Sequence, residues 1–397
     1  MIMPMLPRRW ADVLPGEWKR LRRGTAPLEL VGAAVVAEWE ECVARFLGVP
    51  RVAALSSPGR GLRLVFEHLR LGPGDEVIVP AYGSRRVVEA VQAAGAAAVP
   101  AEVSLETFHV TPASVSARLS PRTRAIVVSH LFGAPAPVDE IVELAGQRGI
   151  PVIEDCAEAL GARIGGRRAG AVGYAGVFGL GLFDPVNTHG GALVASHDTD
   201  LVRFIHGRVA ELPHNHTVLA GRIAAARRER FLVGSGLAWP LLALRAGQVD
   251  GEEDGAGDSA EPASYAPVQA ALGMTKLATL PERLAHRRRM AALLDSLLDP
   301  SVRLQRVPSG AESVWSRCVV LLPRRAETVR RRMLPRRAVE SAAGDAVAAD
   351  CARLLGRADC PNAVDLHPNI LALPFFDAVT PGQIRRAARA LNASLAG

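Results

Sequence analysis

The sequence predicts an α/β protein: a large domain on a mostly parallel sheet, then a smaller C-terminal α+β domain. Three observations carry the α/β prediction. From about residue 31 to residue 205, short apolar and β-branched runs alternate with helix-period segments, as expected of strands joined by crossover helices. The carboxyl ends of these runs lead into polar or Gly-rich residues, where open α/β sheets place ligands. An acidic, Gly-rich stretch, DGEEDGAGDSAE, then interrupts the chain from residue 250 and has too little apolar surface to form a core.

The elements follow in order. A helix is expected over 35–46, ended by Gly48, and a second over 62–69. Gly74 and Asp75 turn the chain into a strand at 76–79, which Pro80 stops because proline cannot donate to a ladder. A helix at 86–94 and strands at 97–100 and 124–131 come next. Asp139 is placed to cap a helix reaching 148, and PVIE at 151–154 reads as a strand ending at Asp155. Beyond the acidic stretch, 267–298 is helical, 314–322 is a strand and 381–395 is a terminal helix. The expected organisation is therefore an N-terminal segment (1–30), a large domain (31–249), a flexible linker (250–262) and a small domain (263–397).

A chain of 397 residues has room for two domains. Its formal charge of +7 comes almost wholly from arginine, since Lys19 and Lys276 are the only lysines. Those arginines are scattered rather than interleaved with aromatics, which argues against a nucleic-acid surface. Cys42, Cys156, Cys318, Cys351 and Cys360 show no metal-ligand spacing and read as free thiols of a reducing compartment. The first residues lack the apolar run of a secretory signal, so a cytoplasmic location is expected. The insertion at 221–245 joins a basic run, GRIAAARRER, to the nearly uncharged FLVGSGLAWPLLALR. Its apolar part is shorter than the roughly 20 residues that span a bilayer. It reads as an interfacial helix pair on a membrane surface, a buried hairpin or a subunit contact.

Five stretches, in order, carry a family resemblance: LGPGDEVIVPAY (71–82), GAAAVPAEVSLETFHVTP (95–112), SPRTRAIVVSHLFGAPAPVDEI (120–141), PVIEDCAEALGA (151–162) and GGALV (190–194). Together they resemble the DegT/StrS sugar aminotransferases, fold type I enzymes that use pyridoxal phosphate (PLP) to aminate keto sugars on nucleotides. The resemblance implies that fold, a homodimer with its active site at the subunit interface, and a nucleotide-sugar or other phosphorylated ligand.

It also implies where the parts of a cofactor site fall. PLP is held as an imine by a lysine, its ring nitrogen is kept protonated by a carboxylate, and its phosphate is held by backbone and hydroxyl donors. Asp155 takes the carboxylate's place; the other reading is a strand-end aspartate that caps its own turn. Glu158 stands where the family has a glutamine near the phenolic oxygen, and a carboxylate there would repel that oxygen. In VFGLGLFDPVNTHGGALV (177–194) the lysine position falls on Asp184, or next on Phe183, and neither can form an imine. Ser57, Gly59 and Arg60 replace a phosphate-binding turn, from which Pro58 removes a backbone N–H. Gly179 stands for a serine and Ser84 for the aromatic that stacks on the ring. Arg60, Arg85 or Arg86 can hold a phosphate by charge. Lys19 precedes the large domain and Lys276 matches a surface helix, so neither is expected at the site.

Three functions follow. The first is a homologue that has lost lysine-dependent transamination and acts as a non-transaminating or partner subunit in sugar or natural-product biosynthesis. The second is a lysine-less, dehydratase-like enzyme that uses pyridoxamine phosphate (PMP), or no cofactor, on a nucleotide sugar, with Asp184 or His189 moving the proton. The third is an active PLP-dependent sugar aminotransferase. His189 also reads as a residue that merely closes the tight loop before Gly190 and Gly191.

Overall fold

Seven strands form the central sheet: β1 (Arg51–Leu55), β2 (Glu76–Pro80), β3 (Ala97–Ala101), β4 (Thr123–Ser129), β5 (Val152–Cys156), β6 (Ala175–Gly179) and β7 (Ala192–Ser196). They lie in the order β1-β7-β6-β5-β4-β2-β3. Every pairing from β6 to β3 is parallel, and β7 runs antiparallel to both its neighbours. The mostly parallel sheet is thus present, with one reversed strand. The computed structural model describes Leu6, Val13, Glu17 and residues 32–210, 212–213, 216–234, 263–337, 339–344 and 347–395. The acidic stretch 250–262 and residues 235–245 of the insertion lie outside them.

Helices cover both faces, as the continuous apolar runs of the strands require. They are α1 (Gly32–Leu47), α2 (Pro58–His68), α3 (Arg85–Ala93), α4 (Val138–Gly146), α5 (Thr199–Val209), α6 (His216–Gly234), α7 (Pro267–Ala278) and α8 (Leu280–Asp295). Side chains alternate across the sheet. Val77, Val79, Val127, Val177 and Val194 pack with α2, α3 and α5, whereas Ile78, Ile126 and Val128 meet α4 and Phe178 and Leu193 meet α1 and α7. A second, four-stranded sheet near the C-terminus contains the antiparallel pair β8 (Cys318–Leu321) and β9 (Ile370–Leu373). With α9 (Ala326–Arg337) and α10 (Pro381–Leu395) it builds a separate apolar cluster.

Several expectations shift. The second helix starts at Pro58 rather than 62, because Ser57 caps it and proline occupies the first turn, where its missing N–H costs nothing. Asp139 sits inside the first turn of α4, whose N-cap position is Pro137. The helical stretch from 267 divides at Thr279 into α7 and α8. More consequential for the domain bounds, α7 packs in the large unit: Trp39, fully buried, shares a cluster with Ala270, Leu277 and Phe178. A Cβ on Gly273 would come within 2.9 Å of the Trp39 ring. The boundary drawn at 263 therefore falls ahead of a helix whose apolar partners lie in the large sheet. At the other end of the chain, Leu6 bridges to Val339 and is buried in the C-terminal cluster. Among the described residues no helix is long and apolar enough to cross a membrane. The described part of the insertion is α6, whose Leu219 and Ile223 pack with Ala266 and Leu272.

Candidate functional site

The carboxyl ends of the parallel strands open into a cavity of about 430 Å³, within the size range of small-molecule sites. The head of α2 supplies Ser57 and Pro58 to its wall, the turn after β5 supplies Ala157 and Glu158, and α3 supplies Arg86. The loop between β6 and β7 contributes Gly181, Leu182, Phe183 and Asp184, and then His189, Gly190 and Gly191. Arg222 comes from α6 and Arg287 from α8. Ser316, Arg317, Phe375 and Phe376 close the side formed by the C-terminal unit.

The β6–β7 loop is fixed from two directions. Leu180 receives hydrogen bonds on its carbonyl from the Thr188 and Gly190 amides, at 3.0 and 2.9 Å. From α7, Gln269 Nε2 donates to the carbonyls of Thr188 and Gly190 at 3.0 and 2.9 Å. Just ahead of α7, the Tyr265 hydroxyl donates to Thr188 Oγ1 at 2.8 Å. Gly190 has a φ of +116°, a backbone conformation that favours glycine. Inside this loop Asp184 Oδ2 accepts the Gly181 N–H at 2.5 Å. Gly179 permits that fold: a Cβ there would stand 2.8 Å from Asp184 Oδ2 and 2.7 Å from the Ala157 carbonyl.

Of the residues singled out from sequence, Ser57, Glu158, Asp184 and His189 meet on one wall, with Phe183 and Arg86 beside them. Asp155 does not line the cavity. It is 5 % exposed, accepts from Ser129 Oγ at 3.1 Å and from the Ala157 amide at 3.3 Å, and so caps its own turn. Gly59, Arg60 and Ser84 are also off the wall. Ser57 Oγ accepts the Arg60 N–H at 3.3 Å as a helix cap, and Ser84 Oγ accepts from Arg86 Nε at 3.3 Å at the head of α3. Arg85 pairs instead with Glu89 on an exposed face.

The expected repulsion by Glu158 is offset in the structure. Arg317 Nη2 lies 2.6 Å from Glu158 Oε1, and Ser316 Oγ donates to the same carboxylate at 3.4 Å. Arg287 is likewise paired, through Nε, with Asp377. Burial would raise the Asp377 carboxyl, but Arg287 and Arg283 outweigh it and hold the group below its ordinary value.

Behind the wall lies a buried ionic cluster that the sequence did not reveal. His189 Nε2 donates to Glu17 Oε1 at 2.9 Å, and Lys276 Nζ sits 3.2 Å from Glu17 Oε2. The same ammonium donates to Asn187 Oδ1 at 2.8 Å. Lys276 is fully buried, which corrects its expected place on a surface helix: an ammonium is excluded from an interior unless paired, and Glu17 supplies the pair.

The described wall contains no lysine; Lys276 is committed behind it and Lys19 lies outside the described residues. Pro58 offers no N–H at the head of α2. The cavity therefore suits a PLP-sized ligand in volume and charge, and its described residues do not fit covalent attachment of that cofactor. Arg222, Arg287, Arg317 and the two phenylalanines were missed from sequence. Arg222 reaches the wall together with Ala225 and Ala226, from one helix face at spacings of three and four.

Comparison with known proteins agrees with this fold. The family model described as the DegT/DnrJ/EryC1/StrS aminotransferase family matches residues 30–207 and 266–392. A UDP-N-acetyl-3-dehydro-alpha-D-glucosamine 3-aminotransferase of Acidithiobacillus ferrooxidans is 36% identical over 197 residues, covering 49% of this chain and 52% of that protein. An L-glutamine:2-deoxy-scyllo-inosose aminotransferase of Streptomyces paromomycinus is 33% identical over 276 residues, 69% of this chain and 59% of its own length. The chain thus spans about half the length of the curated relatives it matches. The crystal structure of the aminotransferase TlmJ from Streptoalloteichus hindustanus superposes with a TM-score of 0.74 at 25% identity, covering 100% of this chain and 99% of that one. With its fold and the family match over most of its length in agreement, the chain belongs to the DegT/DnrJ/EryC1/StrS aminotransferase family, whose ancestry is that of PLP-dependent fold type I enzymes.

Proposed function

We propose that this chain binds a sugar ketone, carried on a nucleotide or otherwise phosphorylated, in the cavity between its two units. It serves sugar or natural-product biosynthesis there without holding a cofactor as a lysine imine. The ligand class is supported by the family match and by the relatives, whose names place a UDP-linked dehydro sugar and 2-deoxy-scyllo-inosose in their reactions. The observation that carries the reading is the residue set of the wall. Imine formation needs a neutral amine within reach of the aldehyde, and the described wall offers carboxylates and guanidinium groups.

A second reading, amino transfer itself, is favoured by the names of the curated relatives and fits them better than a loss of activity does. It requires an amine from Lys19, from a rearranged Lys276, or from a second copy of the chain in the homodimer that the resemblance implies. A third, dehydratase-like reading rests on Asp184, a wall carboxylate able to accept a proton from a bound ligand. His189 is the other candidate of the wall, with its Nε2 engaged by Glu17.

One experiment separates the first two readings. The full-length protein is incubated with PLP, reduced with borohydride and digested for mass spectrometry, while amino transfer to a UDP-linked 3-dehydro sugar is assayed in parallel. The expected result is no lysine adduct and no amino-sugar product. A stoichiometric adduct on Lys19 or Lys276, accompanied by turnover, would establish the second reading in place of the first.

A further inference from the structure

The family match leaves out residues 208–265, yet α6, at His216–Gly234, lies within that gap and puts Arg222, Ala225 and Ala226 on the cavity wall. The chain thus adds a cation to its site from a segment the family model does not describe. The other arginines of the wall differ from it. Arg287 and Arg317 are each neutralised by a carboxylate, and Arg86 donates to Ser84. Among the described residues no carboxylate pairs with Arg222, and burial alone pulls its guanidinium below the ordinary arginine value. Its Nη1 lies against Gly190, where any Cβ would collide with it. The glycine therefore clears the space in which the guanidinium rests at the wall. A half-buried, always-charged group facing a cavity without a counter-ion marks a place where the counter-ion arrives with the ligand.

We infer that Arg222 is a specificity-determining residue that receives a phosphoryl group of the ligand, at a subsite it forms with the head of α2 at Ser57 and with Arg86. The inference rests on the cavity being the ligand site. Two ligands bring such a group, a nucleotide-linked sugar and a pyridoxal-type cofactor, and the test separates them.

Calorimetric titrations of the full-length protein and of Arg222→Gln at low salt use UDP against uridine and pyridoxamine phosphate against pyridoxamine. For at least one pair the phosphorylated member should bind and its parent should not. Arg222→Gln should weaken that binding by about tenfold or more, the range for a charge-assisted hydrogen bond, and Arg222→Lys should recover part of it. The unliganded Arg222→Gln protein should melt no lower than the parent, whereas an arginine with a purely structural role would lower the melting temperature on removal. Unchanged affinity in Arg222→Gln overturns the subsite while leaving the proposed ligand class intact if UDP still binds. Arg222-dependent binding of pyridoxamine phosphate without any UDP binding keeps the subsite and removes the nucleotide. Failure of both phosphorylated probes to bind the parent protein overturns the subsite.

Discussion

Glu154 and Glu17 each face a histidine Nε2 in the protein interior, at 2.8 Å to His130 and 2.9 Å to His189. Around Glu154 everything is local to the sheet. Its carboxylate also accepts the amides of Gly170, Val172 and Gly173 at 2.7, 2.8 and 2.7 Å, and His130 Nδ1 accepts the Ala136 amide. Glu17 instead joins three distant parts of the chain, since its other neighbour is the Lys276 ammonium and His189 belongs to the cavity wall. The same pair of residue types thus serves in one place to shape a loop under the sheet. In the other it stores charge beneath the site.

The comparison can be broken most decisively at Glu154. Glu154→Ala strands a histidine N–H and three amides in the interior, and should cost about 3–5 kcal/mol, as loss of one partner of a buried pair does, read from urea unfolding. The pH dependence follows from the shift. Burial would raise this carboxyl, but His130 and the amides of Gly173 and Gly170 outweigh it, so its folded value lies below the ordinary one. Its contribution is complete above the ordinary glutamate range and is lost as pH falls through the folded value. The variant should therefore lose less stability than the parent on acidification.

Glu17→Ala should cost about 3 kcal/mol, because it removes the carboxylate paired with the buried Lys276 ammonium. The double variant with Lys276→Met should recover about 1–3 kcal/mol relative to the sum of the single changes, in a thermodynamic cycle measured by denaturant titration. Strict additivity would show that the two side chains do not share an interaction.

The smallest effect belongs to a third glutamate–histidine pair, Glu40 with His206, whose histidine side chain is 40% exposed. The hydrogen bond to Glu40 raises the His206 value more than burial lowers it. Stability from this pair is present below the unfolded histidine value and disappears as pH rises through the folded one. His206→Ala should cost roughly 0.5 kcal/mol near pH 5.5, a figure already reduced for solvent screening, and nothing measurable near pH 9.

The sheet was legible because its strands are short β-branched runs punctuated by glycine and proline, and because crossover helices keep an apolar period. Strands β1, β6 and β7, RVAAL, AGVFG and ALVAS, were not anticipated: all three are short, and small residues dilute their signal. The wall was legible where one loop supplies it, as with Asp184 and His189. It was not where the C-terminal unit supplies Arg317 and Phe376, since that closure depends on contacts between residues far apart in sequence. Lys276 was misplaced for the same reason, because a lysine in a helix reads as solvent-facing until its partner, 259 positions away, is known.

Glu17 lies upstream of the point, residue 30, where similarity to the family begins. Trimming the protein to its recognisable portion would thus delete the anion that neutralises the ammonium under the His189 loop. Ligand measurements on such a shortened form would describe a floor with an uncompensated positive charge, and leave the behaviour of the 397-residue chain unmeasured.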